Sequence, residues 1–372
     1  MAEQVISPDL SFVKEVMNSG GESLKKCYQC ATCSVVCNVT PDSKPFPRKE
    51  MMYAQWGLKD RLISNPDIWL CHQCSDCTAY CPRGAKPGEV LGAIRKMTIK
   101  EFSSPSFLAT MVADSRYLIL LFALPILILL GVALNNNSLV SVPRGDGGQI
   151  VYSKFIPIGG VGIDLIFTAA ALFAAICFAI GVKKYWAAMS KGAQLKGNIA
   201  GSFKEVISDI LSHSRFKKCN VTKSRSISHL LVFYSFIGLA ITTSWAVFYL
   251  YVMNIPSPYP LTDPLKLLGN ASALALLVGT MLVITNRLKN KEKAGAGSYY
   301  DWLFISVVFV IMATGILSEL FRLADIGALA YPTYFAHLVF VFFLFAYAPF
   351  SKMAHMVYRA TAMVFAKQAG RE

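Results

Sequence analysis

A chain of 372 residues with 54% hydrophobic and 16% charged side chains, at a mean hydropathy of +0.47, is too apolar for an ordinary soluble globule, which carries roughly 25% charged residues. Its net charge of +14 invites a nucleic-acid reading, yet residues 1–110 hold 13 Lys/Arg against 11 Asp/Glu. Most of the excess lies in loops between apolar runs, so membrane topology is the simpler cause and nucleic acid is set aside as a partner.

The first 25 residues lack a basic segment followed by an apolar core, which predicts no cleavable signal peptide. The next feature is "CYQCATCSVVC" at 27–37, repeated in kind by "CHQCSDCTAYCP" at 71–82. C-x2-C-x2-C-x3-C is the bacterial ferredoxin run for 4Fe–4S clusters, in which the fourth cysteine serves the other cluster. The crossed reading assigns Cys27, Cys30, Cys33 and Cys81 to one cluster, and Cys71, Cys74, Cys77 and Cys37 to the second. Zinc is the bland alternative, but zinc sites usually set two C-x2-C pairs a dozen or more residues apart. Pro82 follows Cys81 as the run prescribes, whereas Asn38 follows Cys37. Between the runs, Tyr53, Trp56, Leu58, Leu62 and Ile63 recur at helical intervals, which predicts helices filling the space between clusters. Cys177 and Cys219 lie outside the runs and read as a packing residue and a loop thiol.

Composition changes near Arg116, giving a cytoplasmic iron–sulfur domain over 1–110 and a membrane domain over 111–372. Six apolar runs approach the roughly 20 residues a span requires: 117–134, 162–182, 229–252, 268–286, 302–320 and 333–351. The fold class expected is all-α, a helical two-cluster ferredoxin-like domain followed by a six-helix transmembrane bundle. The loops 183–228 and 287–301 and the tail 352–372 carry 18 Lys/Arg, against four in 135–161, 253–267 and 321–332. That bias places both termini and the cysteine domain on the cytoplasmic side of the inner membrane, in a reducing compartment that disfavours disulfides. No internal repeat stands out; "KEKAGAGS" at 291–298 reads as a linker, and "IGGVGIDL" at 158–165 opens an apolar span, which makes a dinucleotide fingerprint improbable.

Five histidines remain: His72, His213, His229, His337 and His355. His72, inside the second run, reads as a hydrogen-bonding neighbour of a cluster. Ionisable residues at membrane depth are rare and usually functional. His337 and His355 stand 18 positions apart, which on one continuous last helix is five turns, about 27 Å, on a single face. His229 opens the third span at the depth of His355, so these two could clamp one haem b between helices; satisfied interfacial histidines are the alternative. His213 lies on the amphipathic stretch "SFKEVISDILSHSRF".

Two resemblances follow from these motifs. "CYQCATCSVVC" and "IWLCHQCSDCTAYCPRG" resemble the C subunit of heterodisulfide reductases, a helical two-cluster protein. "HLVFVFFLFAYAPFSKMAH" is similar to the last helix of the cytochrome b subunit of respiratory nitrate reductases, which shows two haem-ligating histidines at this spacing around a similar "PFS" element. Their fusion resembles the C subunit of the quinone-interacting membrane-bound oxidoreductases of sulfate reducers. One departure matters: the nitrate reductase cytochrome carries a further ligand ten positions after the first, and here that position is Leu239. A second haem therefore needs another partner for His337, with His213 as one candidate. The resemblance implies an electron-transfer subunit linking menaquinone, haem b and two clusters to soluble flavin and iron–sulfur partners, toward adenylylsulfate reductase. A haem-free iron–sulfur anchor, or the equivalent subunit of a sulfite-reducing or methanophenazine-linked complex, stays open beside it.

Overall fold

Short helices around cysteine loops give way to long apolar helices in the structure, a computed structural model that describes residues 6–139, 143–159, 162–218, 224–290 and 297–371. Cys219, residues 291–296 of the expected linker, and Gly160 and Val161 of the glycine-rich stretch lie outside the described residues. Among the described residues no strand forms beyond one isolated bridge, Arg144 to Ile150. The protein is all-α.

α1 (Leu10–Val16) begins where the Asp9 carboxylate accepts from the Phe12 N–H at 2.9 Å, satisfying a donor that has no partner inside the helix. α2 (Thr32–Val35) and α6 (Asp76–Ala79) each follow a cysteine loop, and between them run α3 (Arg48–Gln55), α4 (Lys59–Ile63) and α5 (Asp67–Leu70). The helices expected between the cysteine runs are therefore present, with Leu58, Leu62 and Ile63 buried and Trp56 exposed. α7 (Pro87–Phe102) buries Val90, Leu91, Ile94 and Met97 against this set, and α8 (Ser106–Ala113) leads to the membrane half.

Six helices are long and apolar enough to cross a membrane: Ser115–Asn135, Ile163–Ser190, Arg225–Tyr251, Pro264–Lys289, Tyr299–Leu323 and Gly327–Ala346. The chain is a multi-pass membrane protein. In chain order the membrane half comprises α9 (Leu118–Asn135), α10 (Tyr152–Phe155), α11 (Ile163–Ser190), α12 (Ile199–Ser212), α13 (Ser224–Tyr251), α14 (Pro264–Lys289), α15 (Tyr299–Leu323), α16 (Gly327–Ala346) and α17 (His355–Gln368). α13 packs on α14, α14 on α15, α15 on α16, and α16 on α9 and α11. Ile119, Leu127, Leu172 and Ile176 point outward from α9 and α11, where lipid is the matching solvent. Asp263 caps α14 just before Pro264, and a reciprocal Ser298–Asp301 box opens α15.

One expectation fails. The last apolar run was expected as a continuous helix through 351 and on to His355, but α16 stops at Ala346. Two 3-10 turns, Ala348–Phe350 and Lys352–Ala354, intervene before α17. Pro349 has no N–H to return to residue 345 and its ring clashes with that carbonyl, while the Ser351 hydroxyl accepts from the Met353 N–H at 3.2 Å and starts the next turn. The Tyr300 hydroxyl satisfies the freed Phe350 carbonyl at 2.9 Å. His337 and His355 therefore sit on different helices, and their shared-face spacing does not hold.

The most extensive of the hydrophobic clusters runs from Phe12 and Trp69 through Tyr185 to Tyr358 and Ala366, with smaller ones around Tyr331 and Phe342. Trp69 stacks on Tyr358 at 5.5 Å, and Tyr185 leans on both Tyr358 and Phe102. α17 lies against α5, α11 and α12, so the tail of the chain seals the cysteine helices to the bundle.

Candidate functional site: a thiol double loop above a histidine-lined cavity

The two cysteine runs fold alike. Gln29 and Ala31 hold φ of 59° and 68°, and Gln73 and Ser75, each 44 positions later, hold 56° and 69°. These left-handed residues flank the second cysteine of each run, and α2 and α6 start at corresponding positions. Left-handed backbone at non-glycine residues costs energy, and here it recurs on both sides of the same cysteine in each loop. The runs are thus a short internal repeat, contrary to the expectation of none, and every cysteine recurs at the same offset.

α2 packs on α6, which brings the fourth cysteine of each run to the other loop. Burial, with Cys27, Cys30 and Cys81 beside it, pushes the Cys33 thiol up to about 11. Burial likewise lifts Cys37 to about 12, and the thiols bearing on it are Cys71 and Cys74. Cys77 is pushed well up by burial, with Cys71, Cys74, Cys37 and then Cys33 acting on it. Cys30, at the exposed edge, is lowered by the Thr32 hydroxyl 3.4 Å away. Protons hold such buried thiols until metal cations replace them. No group of three His, Cys, Asp or Glu side chains among the described residues is already gathered as the ligands of a single ion. The nine described cysteines are free thiols, and Cys177 is buried in the core. Donors already reach the sulfurs: Gln73 N–H to Cys71 at 3.4 Å and Ala85 N–H to Cys81 at 3.3 Å.

Three arginines that sequence reasoning passed over grip the second loop. Arg95 of α7 donates to the Ile68 carbonyl at 2.8 Å, to Gln73 Oε1 at 3.2 Å and to the Cys71 carbonyl. Arg359 of α17 donates to the Cys71 carbonyl at 3.2 Å and to His72 Nδ1 at 2.9 Å, and Arg225 of α13 to the Gln73 carbonyl at 2.8 Å. Burial, then Arg359 and Arg225, hold His72 neutral, with its pKa down to about 2. Because Nδ1 accepts from Arg359, Nε2 carries the ring proton, and that atom is buried without a partner. Arg359 lies one turn after His355, a spacing that could have flagged it.

Beneath this loop a cavity of about 1820 Å³ opens between α7, α12, α13, α15 and α17, lined by His72, His213, His229 and His355. His355 Nδ1 is 2.6 Å from the Lys352 carbonyl, and His229 Nδ1 is 3.2 Å from His213 Nε2. Both arrangements engage Nδ1 and leave Nε2 as the nitrogen available to a ligand, as in most metal-bound histidines. Burial keeps His355 neutral, with a pKa of about 4. His337 is elsewhere: its Nδ1 faces the Ile311 carbonyl at 3.0 Å and the Thr314 hydroxyl at 3.2 Å, and it does not line this cavity. The structure brings His213 to His229 and not to His337, so the pairing of His213 with His337 around a second haem is not met. A further charged group missed from sequence lines the same cavity, where Asp301 pairs with Lys352 and, at 3.7 Å, with Arg287.

This arrangement of thiols has counterparts in known proteins. Residues 23–85 match a family described as a 4Fe-4S dicluster domain. The chain is 35% identical over 102 residues to the C subunit of the H(2):CoB-CoM heterodisulfide,ferredoxin reductase of Methanothermobacter marburgensis, covering 26% of this chain and 54% of that one. It is 34% identical over 85 residues to a protein of Archaeoglobus profundus that is like the C subunit of heterodisulfide reductase, covering 23% and 45%. It is also 28% identical over 164 residues to the E subunit of the dihydromethanophenazine:CoB--CoM heterodisulfide reductase of Methanosarcina thermophila, covering 41% and 61%. The chain spans about half the length of the first of these relatives. No solved structure matches it. The chain thus carries an N-terminal 4Fe–4S dicluster domain ahead of six membrane helices, and its relatives are subunits of oxidoreductase complexes.

Proposed function

We propose that the chain is the membrane electron-transfer subunit of a quinone-linked oxidoreductase, with a cytoplasmic iron–sulfur domain over 1–110 and a cytochrome b-like membrane domain over 111–372. In this reading Cys27, Cys30, Cys33 and Cys81 hold one cluster, and Cys71, Cys74, Cys77 and Cys37 the other. His229 and His355 hold one haem b through Nε2. The observation that carries it is the adjacency of the second cysteine loop and the cavity: Arg359 touches Cys71 and His72 and stands one helical turn from His355. When bound, the clusters and haem would supply one-electron redox chemistry, carrying singly the two electrons that a membrane quinone exchanges. The chain's own residues supply the rest: thiols grouped by two matching loops, neutral imidazoles with one nitrogen anchored, and arginines that offset the negative charge of thiolate-bound iron. Menaquinone as lipid substrate, soluble flavin and iron–sulfur partners, and electrons bound for adenylylsulfate reductase complete the proposal, on resemblance alone. A methanophenazine-type carrier in a heterodisulfide-reducing complex is the second reading, favoured by the similarity to the E subunit of the Methanosarcina thermophila reductase.

A pyridine haemochromogen assay with iron and acid-labile sulfide on the detergent-purified chain tests this. About eight non-haem irons with one haem per chain is the expected result. Iron without haem overturns the cytochrome and leaves an iron–sulfur membrane anchor. Two haems would require a ligand for His337 beyond those in contact with it.

A further inference from the structure

We infer that His213 is the positioning residue for His229, fixing its tautomer and ring orientation through a hydrogen-bond relay that starts at the Leu211 carbonyl. The inference rests on the haem reading above and assigns His213 a role other than ligand.

The direction of the relay follows from atom chemistry. The Leu211 carbonyl can only accept, and His213 Nδ1 lies 3.3 Å from it, so that nitrogen carries the proton. His213 Nε2 is then a bare lone pair and accepts from His229 Nδ1 at 3.2 Å. With its proton committed to Nδ1, His229 presents a bare Nε2. His355 reaches the same state by a simpler route, because its Nδ1 meets the Lys352 carbonyl at 2.6 Å. The two rings thus expose equivalent nitrogens, but one is held by backbone and the other by a side chain.

The rest of His213 is built for this task. It ends α12 in the left-handed conformation, at φ 50°, and is 6% exposed. Phe216 stacks on the ring at 5.2 Å and Phe233 meets it edge-on at 4.9 Å. The Tyr234 hydroxyl donates to the Leu211 carbonyl at 2.7 Å, anchoring the relay's acceptor to α13, the helix that carries His229. Partners of this kind around a ligating histidine raise its basicity and set its orientation, and removing them weakens the site without abolishing it.

The test uses the full-length, detergent-purified chain with His213→Leu, His213→Gln and His229→Leu, reading haem per chain, the low-spin haem EPR signal, the haem midpoint potential and non-haem iron. The leucine variant is expected to keep most of its haem and all of its non-haem iron. Its haem potential should shift upward, because an axial imidazole that no longer donates is a weaker electron donor to ferric iron, and its EPR signal should move. Glutamine, whose amide oxygen can accept from His229, should restore both toward the wild type, while His229→Leu should lose the haem. Unchanged potential and EPR in the leucine variant would overturn the inference, as would a glutamine variant indistinguishable from leucine. Loss of haem in both His213 variants as complete as in His229→Leu would make His213 a ligand. A wild-type chain without haem would overturn the haem reading itself, a failure separable from these.

Discussion

Glu50 is a carboxyl with 0% exposure whose Oε1 accepts from Asn65 at 3.0 Å and whose Oε2 has no partner. Lys49 lies 3.4 Å away but also serves Asp67, which Arg371 holds from the tail at 2.6 Å. Burial outweighs Lys49 and, with Asp67 nearby, pushes Glu50 up from 4.5 to about 7. An acid raised by folding keeps a proton in the native state that the unfolded chain has shed. Its contribution is therefore complete below about pH 4.5 and is lost as pH rises toward 7. At one pKa unit per 1.36 kcal/mol the loss is at most about 3 kcal/mol. Glu50→Gln should flatten the fall in melting temperature between pH 5 and 7.5 relative to the wild type. Parallel curves for the two proteins would show that Glu50 does not titrate in this window. Nothing in "PRKEMMYAQW" marks Glu50 as buried, because the acid faces inward only once α3 meets Asn65 and Asp67.

At the scale of helices, the spans were legible because an apolar run of about 20 residues has few other uses. The cysteine ligand candidates were legible because the chemistry fixes their spacing. What escaped was whatever depends on where a helix stops. The apolar run continues through Pro349, so composition alone extends α16 past its end at Ala346. Contacts between helices escaped for the same reason: His213 meets His229 because α12 returns beside α13. That meeting depends on how α13 is held, and glycines set it against α14. A Cβ at Gly279 would lie 2.9 Å from Leu231 Cβ and 3.1 Å from the Val232 backbone nitrogen, two and three residues past His229. Small residues permit this approach of membrane helices. Gly279→Val should cost about 1–3 kcal/mol by overpacking and lower haem content, read by thermal stability in detergent and pyridine haemochromogen. Gly131→Val on α9, where a Cβ meets nothing within 4 Å, should leave both unchanged. Equal behaviour of the two variants would mean that the seam is loose.

Across the whole molecule, the six candidate spans among the described residues would return the chain to the side on which it began, and the core and ion pairs tie the cysteine helices to the tail in keeping with that return. Trp69 stacks on Tyr358, Arg371 reaches Asp67, and Arg359 reaches Cys71 across 288 residues of sequence. Contacts of that range have no local signature, which is why the arginine grip was not read from the chain. The same geometry constrains topology: the cysteine loops, α12 and the tail must share one side of the membrane, whichever side it is. The proposed cytoplasmic orientation rests on the bias of 18 Lys/Arg to four, and exposed Cys30 would survive reduced on that side. The orientation is open to direct measurement. In intact cells a membrane-impermeant maleimide should label Asp146→Cys, whose native side chain is fully exposed between the first two spans. Gly201→Cys on α12, with open space around its Cβ, should label only after permeabilisation, each against the unsubstituted chain as background. Labelling in the reverse order would place the clusters outside the cytoplasm. It would also count against the cytoplasmic partners proposed from resemblance, because none could then reach Cys30.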